Sequence, residues 1–268
     1  MTRRDPATPT KRAILLGASN ITLGLPWLIP AVEERLAGPV DITGAWGHGR
    51  SYGEPSSLLF RTLRGIVYSK VWKRLAERPA LPTSALVTDV GNDIAFGESP
   101  DQIMEWVTTV FERLDAMDVR TVVTGLPHAR LSEQSATNFF IVRLLFFPEY
   151  PLRQPDILSK VAEVNGRVEE LCEKFGNTFV PAQSEWYSLD PIHIRFRRQR
   201  TAWEEILRHW GEHRPEIDED PHPLHRANPL RAMELYTMRP ERYDIFAEKF
   251  ITTQPCYTTR RGSPISMY

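Results

Sequence analysis

Cysteine is scarce in this chain: Cys172 and Cys256 are the only two among 268 residues. That count excludes a disulfide framework and a cysteine-rich metal site. An excess of charge of either sign is also missing, because 33 basic and 34 acidic residues leave a formal charge of −1. No global field draws nucleic acid or an anionic membrane surface to it. Long hydrophobic runs are absent as well. The apolar stretch over residues 14–32 is cut by Gly17-Ala18-Ser19-Asn20 and again by Pro26 and Pro30. A secretory signal needs an unbroken apolar core of about 7–15 residues, and a membrane span about 20. Arg3-Arg4 is followed by no such run. The expectation is a soluble, cytoplasmic protein with no membrane span and no nucleic-acid partner.

What is present is ordinary globular composition: 41% hydrophobic and 25% charged residues. Whole-chain disorder is excluded, and a chain of this length buries a core without staples. Short apolar runs alternate with helical spacing. Ala13-Ile14-Leu15-Leu16, residues 40–46, 84–90 and 121–125, and Thr178-Phe179-Val180-Pro181 read as strands; residues 25–36, 54–68, 100–117 and 156–175 read as helices. Ser99 is a candidate N-cap and Gly176 a candidate C-terminal stop. Alternation of this kind predicts an α/β fold, a mostly parallel five-stranded sheet covered by helices on both faces in a flavodoxin-like α/β/α arrangement. Residues 1–11 read as a loose arm and 12–210 as the main domain. Residues 129–155, with Phe139, Phe140, Ile141 and Leu144 to Phe147, form an insertion, either a lid over a site or a helix completing the core. Residues 211–268 form a proline-rich extension whose apolar side chains would dock on the domain or, as a homodimer contact, on a second subunit.

Ligands of open parallel sheets bind beyond the carboxyl ends of the strands, and small polar residues recur there. The first strand ends in Gly17-Ala18-Ser19-Asn20, and the second runs into Gly47-His48-Gly49-Arg50-Ser51-Tyr52-Gly53. The third ends in Gly91-Asn92-Asp93, the fourth in Gly125-Leu126-Pro127-His128; Asp190-Pro191-Ile192-His193 follows the fifth. Each alone is usually a cap or a turn. Together they form a hydrolase set: Ser19 at a helix start, His193 to take its proton, and Asp190 three residues earlier to hold the imidazole. A glycine N–H and the Asn92 amide could serve an oxyanion.

These blocks, in this order, resemble the SGNH (GDSL-like) hydrolase superfamily over roughly residues 12–210. The resemblance implies that Ser19 is the nucleophile, His193 the general base and then acid, and Asp190 its orienter. Gly53, Asn92 and the Ser19 N–H would form the oxyanion hole, with Gly49 the alternative glycine. It implies a serine esterase, lipase-like, acetylesterase or thioesterase, without metal or organic cofactor, acting on a small-molecule or glycan ester; members of the superfamily also include acyltransferases. Two departures stand out. Ala18 occupies a position where the family usually has Asp, and Gly24 lies one residue beyond the family's closing glycine, which predicts a rebuilt loop.

Trp46, His48, Arg50, Tyr52, His128 and Trp186 neighbour these blocks and are candidate substrate-binding residues, suited to a sugar ester; an insertion that acted as a lid would instead favour a longer acyl group. Arg195, Arg197, Arg198 and Arg200 read as a solvated face, or else as an anion site beside the catalytic set. His209, His213, His222 and His225 read as surface histidines rather than metal ligands. Two other functions compete. Gly47-x-Gly49-x-x-x-Gly53 imitates a dinucleotide fingerprint, which would make the protein an oxidoreductase, and an inert hydrolase fold would make it a binding module.

Overall fold

A computed structural model describes residues 8–58, 61–146, 153–211, 234–236, 238, 241–243 and 249–268. The apolar runs form the centre of the sheet. β1 (Lys11–Leu16) has five of its six residues fully buried and lies between β2 (Val40–Ala45) and a later strand, as a strand covered on both faces must. Helix α1 (Ser19–Arg35) starts directly after β1. It continues through Gly24, Pro26 and Pro30, so the loop predicted around Gly24 is absent. Gly24 instead sits under Trp203, where a methyl group would stand 2.3 Å from the indole nitrogen.

After β2 comes a difference from expectation. Residues 54–68 read as a helix, but the chain forms a hairpin of β3 (Ser56–Leu58) and β4 (Arg61–Leu63), then a 3-10 turn at Ile66–Tyr68. Two long-range backbone bonds hold this segment, Ile66 N–H to Ser51 O (3.0 Å) and Val67 N–H to Tyr52 O (2.9 Å). Tertiary bonding thus overrides the apolar spacing of Leu58, Leu63 and Ile66.

The chain then runs through α2 (Val71–Ala76), β5 (Thr83–Val87), α3 (Asn92–Ala95), α4 (Pro100–Asp115) and β6 (Arg120–Thr124). It continues with α5 (His128–Ser132), α6 (Ala136–Phe146), α7 (Gln154–Phe175), β7 (Thr178–Val180) and α8 (Gln199–Leu207). Ser99 caps α4 by accepting from Gln102 N–H (3.2 Å). Gly176 ends α7 at φ 65°, the left-handed position that glycine fills at least cost.

Among the described residues, short strands β8 (Glu241–Tyr243) and β9 (Lys249–Ile251) pair only with each other. β10 (Tyr257–Thr258) and β11 (Pro264–Met267) join the main sheet, whose order is β10-β11-β2-β1-β5-β6-β7. The five expected parallel strands are all there, in flavodoxin-like order. The sheet has seven strands rather than five because the extension supplies β11, parallel to β2, and β10, antiparallel to β11. Ile265 and Met267 enter the core with α1 and α8, so this part of the extension docks on its own domain. Residues 1–7, Phe147, His213, His222, His225 and the acidic run 216–220 lie outside the described residues. No helix of the described residues is long and apolar enough to cross a membrane.

Candidate active site

Helix and turn geometry bring three side chains from two distant parts of the chain together at the carboxyl end of the sheet. Ser19 is the first residue of α1. His193 stands on the turn between the 3-10 helix Ser184–Trp186 and α8. His193 Nε2 lies 2.9 Å from Ser19 Oγ, and His193 Nδ1 lies 2.7 Å from Asp190 Oδ2. An ionised carboxylate only accepts, so Nδ1 carries the ring proton and Nε2 faces the serine as an acceptor. The other Asp190 oxygen accepts from the backbone N–H of Ile192 (2.9 Å) and His193 (3.2 Å). The three-residue spacing seen in the sequence is therefore a self-bonded turn. Burial alone would raise the Asp190 carboxyl, but His193 and these two amides outweigh it and hold it below its ordinary value.

Asn92 starts α3 and is nearly buried. Its Nδ2 donates one hydrogen bond to Arg50 O (3.1 Å), and an amide nitrogen has a second proton to give. The two candidate glycines separate clearly. Gly53 N–H donates inward to Ser51 Oγ (3.0 Å), and a methyl group on Gly53 would stand 1.9 Å from the Trp106 ring. Its N–H is bound within the protein, so the oxyanion role written for Gly53 does not fit. Gly49, at φ 65°, sits one residue before the carbonyl that Asn92 holds.

The remaining candidates divide in the same way. Trp46, Arg50, Tyr52 and Trp186 are all 2% exposed or less, so they are structural rather than substrate-facing. Arg50 donates to the main-chain oxygens of Arg64, Trp46 and Tyr268, and Tyr52 Oη to Thr88 O at 2.8 Å. His48 is exposed and His128 half-buried. In the arginine run, Arg200 pairs with Glu204 (2.7 Å), and Arg197 and Arg198 face solvent. The glycine-rich stretch leads into the β3–β4 hairpin and not into a helix. It therefore has no helix N-terminus to receive a pyrophosphate, which removes the basis of the dinucleotide reading.

Two residues beside the site have roles that the sequence alone does not assign: Asp89, and Asn20 within the Gly17-Ala18-Ser19-Asn20 block. Asp89, at φ 62°, accepts through Oδ2 from Ala18 N–H (2.8 Å) and Asn20 N–H (3.1 Å), the amides on either side of Ser19. Its Oδ1 accepts from Asn20 Nδ2 (2.6 Å). Asn20 then bridges to the histidine turn: Nδ2 donates to Ile192 O (3.0 Å), and Oδ1 accepts from Ile194 N–H (2.9 Å). Burial pushes the Asp89 carboxyl up, despite the bonds from Asn20 and Ala18 and the nearby His193. The available signal was the missing carboxylate at Ala18: the structure brings one in from the end of β5 instead.

Neither a family model nor a curated protein matches the sequence. Solved structures do. The chain is similar to a carbohydrate acetylesterase family member from Sinorhizobium meliloti, at 12% identity and a TM-score of 0.52, over 73% of this chain and 95% of that one. It is also similar to the M. smegmatis aryl esterase, at 14% identity and a TM-score of 0.50, over 74% and 98%. The likeness establishes the fold: a three-layer α/β/α sheet of the kind found in SGNH hydrolases.

Proposed function

We propose that the protein is a serine ester hydrolase. The observation that carries this is the unbroken contact chain from Asp190 through His193 to Ser19, at 2.7 and 2.9 Å. Ser19 Oγ attacks the ester carbonyl while His193 Nε2 takes its proton, and Asp190 stabilises the imidazolium that forms. The carbonyl oxygen gains negative charge and is met by the Ser19 N–H at the start of α1, the Gly49 N–H and Asn92 Nδ2. The helix N-terminus adds a favourable dipole. His193 then returns the proton to the leaving alkoxide, giving an acyl-enzyme on Ser19. A water activated by His193 releases the acid and restores the serine.

Asp89 and Asn20 are positioning residues in this scheme. They hold the backbone on both sides of Ser19 and tie it to the turn that carries His193. That both solved-structure neighbours are esterases supports an ester substrate. Replacing Ser19 by Ala should lower hydrolysis of p-nitrophenyl esters by about 10⁴–10⁶-fold with the thermal midpoint unchanged. Wild-type turnover in that variant overturns the proposal.

A further inference from the structure

An apolar pocket opens beside Asn92. It encloses about 760 Å³, open solvent at its mouth included, and its lining is mostly apolar, as is usual for small-molecule sites. Asn92 and the Pro191–Ile192 stretch form its inner end, next to the proposed reacting groups. Leu126, Leu131, Phe139, Val142, Ile157 and Val161 form much of the rest. The insertion that the sequence left open as lid or core helix thus supplies a wall, through α5 and α6. Two bonds fix that wall to the segment just before Asp190: Asn138 Nδ2 to Leu189 O (2.9 Å) and Arg130 Nε to Ser188 O (2.8 Å).

We propose that this pocket binds the acyl chain of the substrate, so that the preferred esters carry medium-length apolar acyl groups rather than acetyl. The assignment rests on Ser19 being the nucleophile, as argued above. The direction follows from proton transfer. His193 must protonate the leaving alkoxide, which therefore lies against Nε2. The acyl substituent leaves the carbonyl on another side, and the pocket is lined by the oxyanion residue Asn92, with His193 absent from its walls among the described residues. Acetyl needs room only for a methyl group. A sugar needs polar partners, and the polar side chains of these walls are Asp89, Asn92 and Arg143: Asp89 is bonded to the Ser19 turn, Asn92 serves Arg50 O and the oxyanion, and Arg143 lies over the Phe140 ring.

The test is kcat/KM for p-nitrophenyl esters from acetate to decanoate, and for a matching series of alkyl acetates, on wild type, Val142→Trp and Leu131→Trp. The pocket predicts that rates rise with acyl length by about fourfold per buried methylene up to the pocket's end, and stay flat with alkyl length. Each tryptophan variant, by filling the pocket, should lower the ratio of octanoate to acetate kcat/KM at least about tenfold. A flat acyl series, a dependence on the alkyl series instead, or equal losses on acetate and octanoate in both variants would each overturn it. Fluorophosphonate labelling of Ser19 run alongside separates the two claims. Labelled enzyme with a flat acyl series overturns the pocket alone, whereas unlabelled enzyme inert to every ester overturns the hydrolase reading and the pocket with it.

Discussion

The loop after β2 and the turn before α8 both bring polar residues and an aspartate partner to the carboxyl end of the sheet, yet they use them in opposite ways. In the turn, Asp190 satisfies two local amides and still presents an oxygen to His193, and its carboxyl is held low. In the loop, Ser51 donates to Asp93, Tyr52 N–H donates to Asp93 (2.9 Å), and Gly53 and Glu54 N–H both donate to Ser51 Oγ. Asp93 is fully buried, and burial pushes its carboxyl up to about 6, the bonds from Ser51 and the nearby amides offsetting only part of the cost. One carboxylate is left able to act on a neighbour, and the other is consumed in building a floor. Polar residues at the right end of a sheet are therefore no guide to chemistry until their hydrogen bonds are assigned.

Asn92 stands where the two regions meet, and after Ser19→Ala the removal of its side chain gives the largest expected effect. Asn92→Ala should reduce turnover by about 10²–10³-fold, the usual cost of one oxyanion donor, with a cooperative unfolding transition retained. Near-wild-type turnover would assign Asn92 to the loop, through its bond to Arg50, and not to the site.

Asp89→Asn comes next. The replacement has one acceptor oxygen where three donors now converge, so the Ser19 turn loses support. Because a misplacement of about 1 Å can cost 10²-fold, kcat should fall by about 10–10²-fold with KM little changed. The rate of fluorophosphonate labelling should fall in step. Loss of thermal stability with unchanged kcat would make Asp89 a structural residue only.

A last prediction concerns stability and pH. The folded protein binds the Asp93 proton more tightly than the unfolded chain does, so this group makes stability fall as pH rises from its unperturbed 3.8 to about 6. Asp93→Asn removes that slope. Unfolding free energies from urea titrations between pH 4 and 7 should show wild type losing about 2 kcal/mol relative to the variant over this interval. Parallel curves would contradict it.

These regions also differ in how far the sequence revealed them. β1, β5 and β6 were legible because continuous apolar runs bounded by glycine suit strands covered on both faces, and α4 and α7 because their apolar periodicity and caps are local. The candidate set was legible because Ser19 and Asn92 open helices and Asp190 and His193 share one four-residue turn. The β3–β4 hairpin and the 3-10 turn after it were not, since that turn is held by Ser51 and Tyr52 carbonyls that a helical pattern cannot register. Nor was β11, three of whose residues pair with β2 across more than two hundred positions of chain. The roles of Gly53 and Asp89 depended on hydrogen bonds that form only in the assembled fold. Aromatic and basic residues near the motifs misled for the same reason: adjacency in sequence placed Trp46, Arg50, Tyr52 and Trp186 next to the site, and packing turned them inward.

The central claim is that Ser19 is an activated nucleophile. Its most direct test is intact-mass analysis after treatment with a fluorophosphonate, on wild type and on Ser19→Ala. The account predicts a single phosphonyl adduct on the wild-type protein and none on the variant. A folded wild-type protein that takes no adduct, or a variant that labels as well as wild type, would contradict it.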